Sequence, residues 1–182
     1  MNATPGPPPA GEGTAADALV RRVSERFPDA LTESSEFRGD LSVVVAPEAV
    51  VEVARYLKNE EGFDYFLYAT AVDWPARDPR FTVVWEVRSL ENKTRIRIKT
   101  TAAMPDPHVP SLSGVWPAAN WHERETWDLL GITFDGHPDL RRILMPETWE
   151  GHPLRKDYVS FGEPVIFSDS KLEGLEPDAI RG

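Results

Sequence analysis

Apolar residues recur along this chain at two different periods, and the switches between them mark out its elements. Leu19, Val20, Val23 and Phe27 fall at helical spacing. Pro28 ends that run, because proline cannot continue the hydrogen-bond ladder. Thr14, with Asp17 three residues on, predicts the helix N-terminus in an acidic relative of the capping box. Residues 31–38 and 41–46 read as two strands joined at Gly39-Asp40. The first is weak, since Ser34, Ser35 and Glu36 supply little apolar alternation. Pro47 opens a second helix, where its missing N–H costs nothing; Val50, Val51, Ala54 and Leu57 line one face and Gly62 ends it. Residues 65–72 form a third strand. Residues 80–89 alternate with Phe81, Val83, Trp85 and Val87 on one side, and 94–101 set Ile96 and Ile98 against Arg95, Arg97 and Lys99. Residues 90–93 close these two into a hairpin.

Residues 104–110 hold three prolines, which predicts no regular structure there. Pro117 starts a third helix that ends at Gly131. Beyond it, 132–134 and 141–144 are short strand candidates, and from Asp135 onward the expectation is extended, loop-like chain. The order α-β-β-α-β-β-β-α predicts an α+β fold, a mostly antiparallel five-stranded sheet with packed helices and a long, largely irregular C-terminal extension. Three parts follow. Residues 1–13, rich in Pro, Gly and Ala, are expected to be a disordered tail. Residues 14–131 are the α+β domain. Residues 132–182 are a charged, extended docking arm, because so long a stretch without elements needs a function or a partner to hold it.

Composition narrows the function. The 182 residues suffice for one domain, with a net charge of −10 that makes nucleic acid a poor partner. The absence of cysteine excludes disulfides and cysteine-ligated zinc or iron–sulfur clusters within this chain. No apolar run approaches the roughly 20 residues of a membrane span, and no secretory signal pattern opens the chain. A soluble, cytoplasmic protein is expected, with any membrane contact made through partners.

The densest chemistry lies in residues 119–158, which carry eight carboxylates, five Lys or Arg, three histidines and three tryptophans. Charges threaded between indoles and aliphatic residues must be paired or hydrogen-bonded. On the third helix Trp121, Arg124, Glu125 and Asp128 fall on one face, and Glu123, Trp127 and Leu130 on the other. Arg124 and Asp128 are four apart and can pair; Glu125 and Asp128 both need cations, which Arg141, Arg142, Arg155 and Lys156 supply. The expected set is therefore a partner-docking ion network of Glu123, Arg124, Glu125, Asp128, Arg141, Arg142, Arg155, Lys156 and Asp157. The bland alternative is a solvated helix with incidental pairs. An acid/base centre at Glu123 lacks a nucleophile and a substrate-positioning cluster. His122-Glu123-Arg124-Glu125-Thr126 begins like a zinc-protease motif but has Thr where the second histidine belongs. Gly136-His137-Pro138 and Gly151-His152-Pro153 read as tight turns with a hydrogen-bonding histidine. The Arg95/Arg97/Lys99 stripe reads as the wet face of a strand.

Glu123-Arg124-Glu125, Asp128, Gly131-Ile132, Gly136-His137-Pro138, Leu140-Arg141-Arg142-Ile143-Leu144 and Pro153-Leu154-Arg155-Lys156-Asp157 also resemble the signature of the 30 kDa subunit family of respiratory complex I. In bacteria that family supplies the type I NADH:quinone oxidoreductase with its C subunit. Val72-Asp73, Arg80-Phe81 and Pro117-Ala118-Ala119-Asn120-Trp121 extend the resemblance over residues 67–158. It implies a scaffold in the hydrophilic arm of a proton-translocating complex, peripheral on the cytoplasmic side of the cell membrane. Such a scaffold braces the quinone-site (49 kDa-type) subunit and touches iron–sulfur subunits. It implies no cofactor and no catalytic centre in this chain, with FMN, iron–sulfur clusters and quinone in partner subunits. Val159 stands where family members often have Pro, which bears on the local path of the arm. The rivals are an equivalent scaffold in a membrane-bound hydrogenase or photosynthetic relative, and a freestanding acid/base hydrolase.

Overall fold

The computed structural model describes residues 15–158; the N-cap expected at Thr14, the tail 1–13 and the arm from Val159 lie outside the described residues. The elements are α1 (Ala15–Arg26), β1 (Leu31–Phe37), β2 (Asp40–Val45), a 3-10 turn (Pro47–Ala49), α2 (Val50–Asn59), β3 (Tyr65–Asp73), β4 (Phe81–Ser89), β5 (Thr94–Ala102), β6 (His108–Pro110), α3 (Ala119–Leu130) and β7 (Thr133–Asp135). The fold is α+β. Its five-stranded sheet runs β1-β2-β5-β4-β3, antiparallel except between β2 and β5.

Strand alternation builds the core. Val43 and Val45, Phe81, Val83, Trp85 and Val87, and Ile96 and Ile98 are all buried. The stripes Leu19/Val23 of α1 and Val50/Val53/Ala54/Leu57 of α2 close on the same cluster. Each fully buried aliphatic side chain contributes about 1.5–3 kcal/mol, so this face dominates the domain's stability. On the other face Arg95 and Arg97 of the basic stripe are paired within the sheet. Arg97 bonds Glu86 and Asp40, Arg95 bonds Asp40, and the Tyr68 hydroxyl donates to Glu86 at 2.9 Å.

Local details depart from the sequence expectations. Arg38 and Gly39 both have positive φ (53° and 81°), so the β1–β2 turn is centred one residue earlier than Gly39-Asp40. Pro47 opens a 3-10 turn rather than α2 itself, and α3 begins at Ala119 rather than Pro117. Residues 104–110 are not wholly irregular: β6 pairs in parallel with β7. Pro110 is tolerated because it sits at the end of a short strand where its missing donor is not required. The candidate strand 141–144 does not form; the amides of Ile143 and Leu144 are taken by the Asp128 carboxylate instead. The packed core also runs past Gly131, since Ile132 and Phe134 are buried.

Candidate functional site

Helix α3 is buried from two sides. Glu123 and Leu130 face the domain, while Arg124 and Asp128 lie under the extension; only a strip including Trp121 and Glu125 stays exposed. Asp128 is fully buried. Its Oδ2 accepts the backbone N–H groups of Ile143, Leu144 and Met145 at 3.0, 2.8 and 2.9 Å, and its Oδ1 accepts Arg142 Nη1 at 2.6 Å. Burial pushes this carboxyl's pKa up, but the three amides and Arg142 outweigh it and hold it below the usual carboxylate range. Arg142 also donates to the carbonyls of Trp149 (2.8 Å) and Gly151 (3.2 Å).

The same extension satisfies the carbonyls that a helix C-terminus leaves without partners. The Asp128 carbonyl accepts His152 Nδ1–H at 2.9 Å, and that of Leu129 accepts the Leu154 amide at 3.0 Å. Arg155 donates to the carbonyls of Leu130 (2.6 Å) and Gly131 (3.2 Å). A cation at this end also opposes the helix dipole. Gly131 is required: its φ is +71°, and a Cβ there would collide with the side chains of His152 and Arg155.

A second anchor lies at the paired ends of β3 and β4. Arg80 holds Asp73 at 2.7 and 2.8 Å and Asp157 at 2.7 and 2.8 Å, while the Lys156 amide donates to Asp73 at 2.8 Å. The Arg80 guanidinium holds both carboxyls below their usual range and is itself pushed further from deprotonation.

Of the nine expected residues, the structure thus brings Arg124, Asp128, Arg142 and Arg155 together around the end of α3. Arg124 does not pair with Asp128; it donates to the carbonyls of Arg141 and Arg142, both at 3.1 Å, because Arg142 already occupies the carboxylate. Glu125 is exposed, with no ion pair among the described residues, and Arg141 pairs at the surface with Asp139 at 2.9 Å. Lys156 contributes its amide, and Asp157 belongs to the Arg80 anchor. Glu123 lies apart. It accepts Ser111 Oγ (2.5 Å), the Leu112 amide (2.8 Å) and Trp85 Nε1 (3.3 Å), and burial raises its pKa to about 7. Sequence reasoning left Asp73, Arg80 and His152 out of the site. The only signal for them lay in the quoted motifs, not in any spacing that pairs them.

Both Gly-His-Pro turns have glycine at positive φ. In the first, His137 donates from Nε2 to the Asn120 carbonyl (3.1 Å) and accepts the Asp139 amide at Nδ1 (3.1 Å). Among the described residues no group of three His, Cys, Asp or Glu is placed to hold a metal ion, and the chain has no cysteine to ligate an iron–sulfur cluster. Among them, too, no helix is long and apolar enough to cross a membrane. What the arrangement does chemically is fix backbone.

The family described as "Respiratory-chain NADH dehydrogenase, 30 Kd subunit" matches residues 43–164. The C subunit of the NADH-quinone oxidoreductase of Roseiflexus sp. (strain RS-1) is 51% identical over 152 residues, covering 82% of this chain and 87% of the relative. That of Mycobacterium ulcerans (strain Agy99) is 38% identical over 188 residues, 98% of this chain and 78% of the relative. Among solved structures, a trypsin-resistant fragment (1-134) of Nqo5 aligns with TM-score 0.60 at 28% identity, over 68% of this chain and 97% of the fragment. A chain of the membrane-bound sulfane sulfur reductase, an archaeal respiratory membrane complex, aligns with TM-score 0.66 at 25% identity, over 88% and 92%. The chain belongs to the 30 kDa subunit family of the respiratory-chain NADH dehydrogenase, the family that includes the C subunits of bacterial NADH-quinone oxidoreductases.

Proposed function

We propose that this chain is a scaffold of a proton-translocating NADH-quinone oxidoreductase and has no catalytic centre of its own. It holds neighbouring hydrophilic-arm subunits in register, chiefly the quinone-site (49 kDa-type) subunit and iron–sulfur subunits. FMN, the clusters and quinone belong to those partners, and the assembly lies peripherally on the cytoplasmic side of the cell membrane. One observation carries the reading. The extension is fixed to α3 by polar bonds, yet it turns apolar side chains outward: Leu144 and Leu154 are 60% and 55% exposed, and Trp121 of α3 beside the extension is 60% exposed. Apolar residues held rigidly in water mark a surface built for another polypeptide. The trypsin-resistant fragment of Nqo5 supports a division between a folded domain and a later segment.

The test replaces Leu144 and Leu154 by Asp in the full-length chain within its native complex. Neither residue is buried, so the domain should fold. Assembled complex and quinone reductase activity should fall about tenfold, since two charges in a desolvated interface cost well over about 1.4 kcal/mol. Normal assembly on native gels would refute the docking role. Turnover of a substrate by the purified chain alone would instead favour the hydrolase reading.

A further inference from the structure

Between α1, the β1–β2 turn, the segment after α2 and the β4–β5 hairpin lies a cavity of about 780 Å³. That volume is in the range of small-molecule sites. Leu19, Leu41 and Phe63, all members of the core, form an apolar part of its wall. Arg22, Arg88, Lys93 and Arg95 also line it. Two of these cations are already matched, Arg22 by Glu61 (two bonds of 2.7 Å) and Arg95 by Asp40 (2.6 Å). Arg88 and Lys93 have no ion pair among the described residues.

The register sharpens this. Arg88 and Arg95 stand directly opposite each other on β4 and β5, and Lys93 sits in the turn between them with φ +54°. Arg95 is met by Asp40 and, at 3.7 Å, by Glu86, which leaves Arg88 and Lys93 as neighbouring like charges without an anion among the described residues. The whole chain carries an excess of acid, with net charge −10, so a local cluster of this sign is not a property of the surface at large.

We propose that this cavity binds a soluble, phosphate-bearing small molecule. Its phosphate sits on Arg88 and Lys93, beside the Asp40-paired Arg95, and its less polar part lies against Leu19, Leu41 and Phe63. Phosphate fits better than a single carboxylate, because guanidinium forks grip its oxygens in pairs and an added ammonium matches a second negative charge. A soluble ligand fits better than a lipid headgroup, because the acidic molecule is repelled by the extended negative charge of an anionic bilayer, which a single small ligand does not carry.

The test is calorimetric titration of the full-length chain, at low salt, with inorganic pyrophosphate and with ADP. Wild type is compared with R88A/K93N, with K93N, and with K99N, which removes the same single charge as K93N but outside the cavity lining. Asn is chosen at Lys93 because it accepts the left-handed backbone. Saturable binding is expected, weakened about tenfold or more by R88A/K93N and less than about twofold by K99N. If Arg88→Ala disturbs the hairpin by circular dichroism, Lys93→Asn alone should still weaken binding about threefold. Absence of saturable binding of both probes to wild type overturns the proposal. So does an equal loss in K99N, or tighter association with phosphatidylglycerol vesicles than with ADP.

Discussion

The side chains of Val83, Val87, Ile96 and Ile98 are held in the core by burial, on strands joined by a regular ladder, whereas residues 139–158 are tied to α3 and to the sheet's end mainly by charges and backbone hydrogen bonds. The domain's contacts are many and individually replaceable. The extension's are few and each has one partner geometry. An apolar core loses stability gradually as side chains are trimmed. A buried carboxylate serving three amides and an arginine fails all at once. The extension should therefore open locally while the sheet stays intact, and its weakest points are single residues.

Asp128→Ala should expose that difference most strongly. It strands the Arg142 guanidinium and three amides beneath the extension, and breaking a buried pair from one side costs about 3–5 kcal/mol. Amide exchange at Ile143, Leu144 and Met145 should become fast while β3, β4 and β5 keep their protection. Simultaneous loss of protection in the sheet would show that the two regions form one cooperative unit.

The regions should also answer pH in opposite directions. Asp128, Asp73 and Asp157 have pKa values below the usual carboxylate range. Their stabilisation is complete above that range and is lost as pH falls, so acid releases the extension. Glu123 behaves inversely. With its pKa raised from 4.5 to about 7, the folded state holds a proton that the unfolded chain has released, and its contribution declines as pH climbs through that window. His108, raised by its bonds to Asp135 and Asp106, adds to the same trend, because its contribution is lost as pH rises through its folded value. Glu123→Gln keeps an acceptor for the Leu112 amide and Trp85 but cannot ionise. Between about pH 4.5 and 7.5 wild type should lose about 3 kcal/mol relative to Glu123→Gln in urea melts. Parallel curves for the two proteins would remove Glu123 as the source.

This opposition explains what could be read from the chain. Helices and strands of the domain follow from apolar periodicity, which is local, so Leu19/Val23 and Phe81/Val83/Trp85/Val87 announced themselves. Strand β6 did not, because its prolines mask a pairing supplied by β7, far along the chain. The crowding of ions after Ala119 was legible, and Asp128 and Arg142 stood among the nine residues it marked, although the helical spacing matched Asp128 with Arg124. Their partners were not, because most are backbone amides and carbonyls, which every residue carries. Arg155 looked like a mate for a carboxylate, yet it caps helix carbonyls. Asp73 and Arg80 meet Asp157 only because the fold brings the ends of β3 and β4 beside the end of the extension.

The smallest effect separates the two anchors of the extension from each other. Asp157 is 56% exposed in its side chain, whereas Asp73, on the other side of the same arginine, is 1% exposed. Asp157→Asn leaves Arg80 gripped by Asp73 and leaves the Lys156 amide on Asp73 Oδ2. An exposed ion pair of this kind is worth about 0–1 kcal/mol, so the midpoint of thermal unfolding should barely move. Exchange should quicken only around Lys156 and Tyr158, with Ile143, Leu144 and Met145 unchanged. If Asp157→Asn instead freed those three amides as thoroughly as Asp128→Ala, the Arg80 bridge rather than the end of α3 would be what holds the extension down.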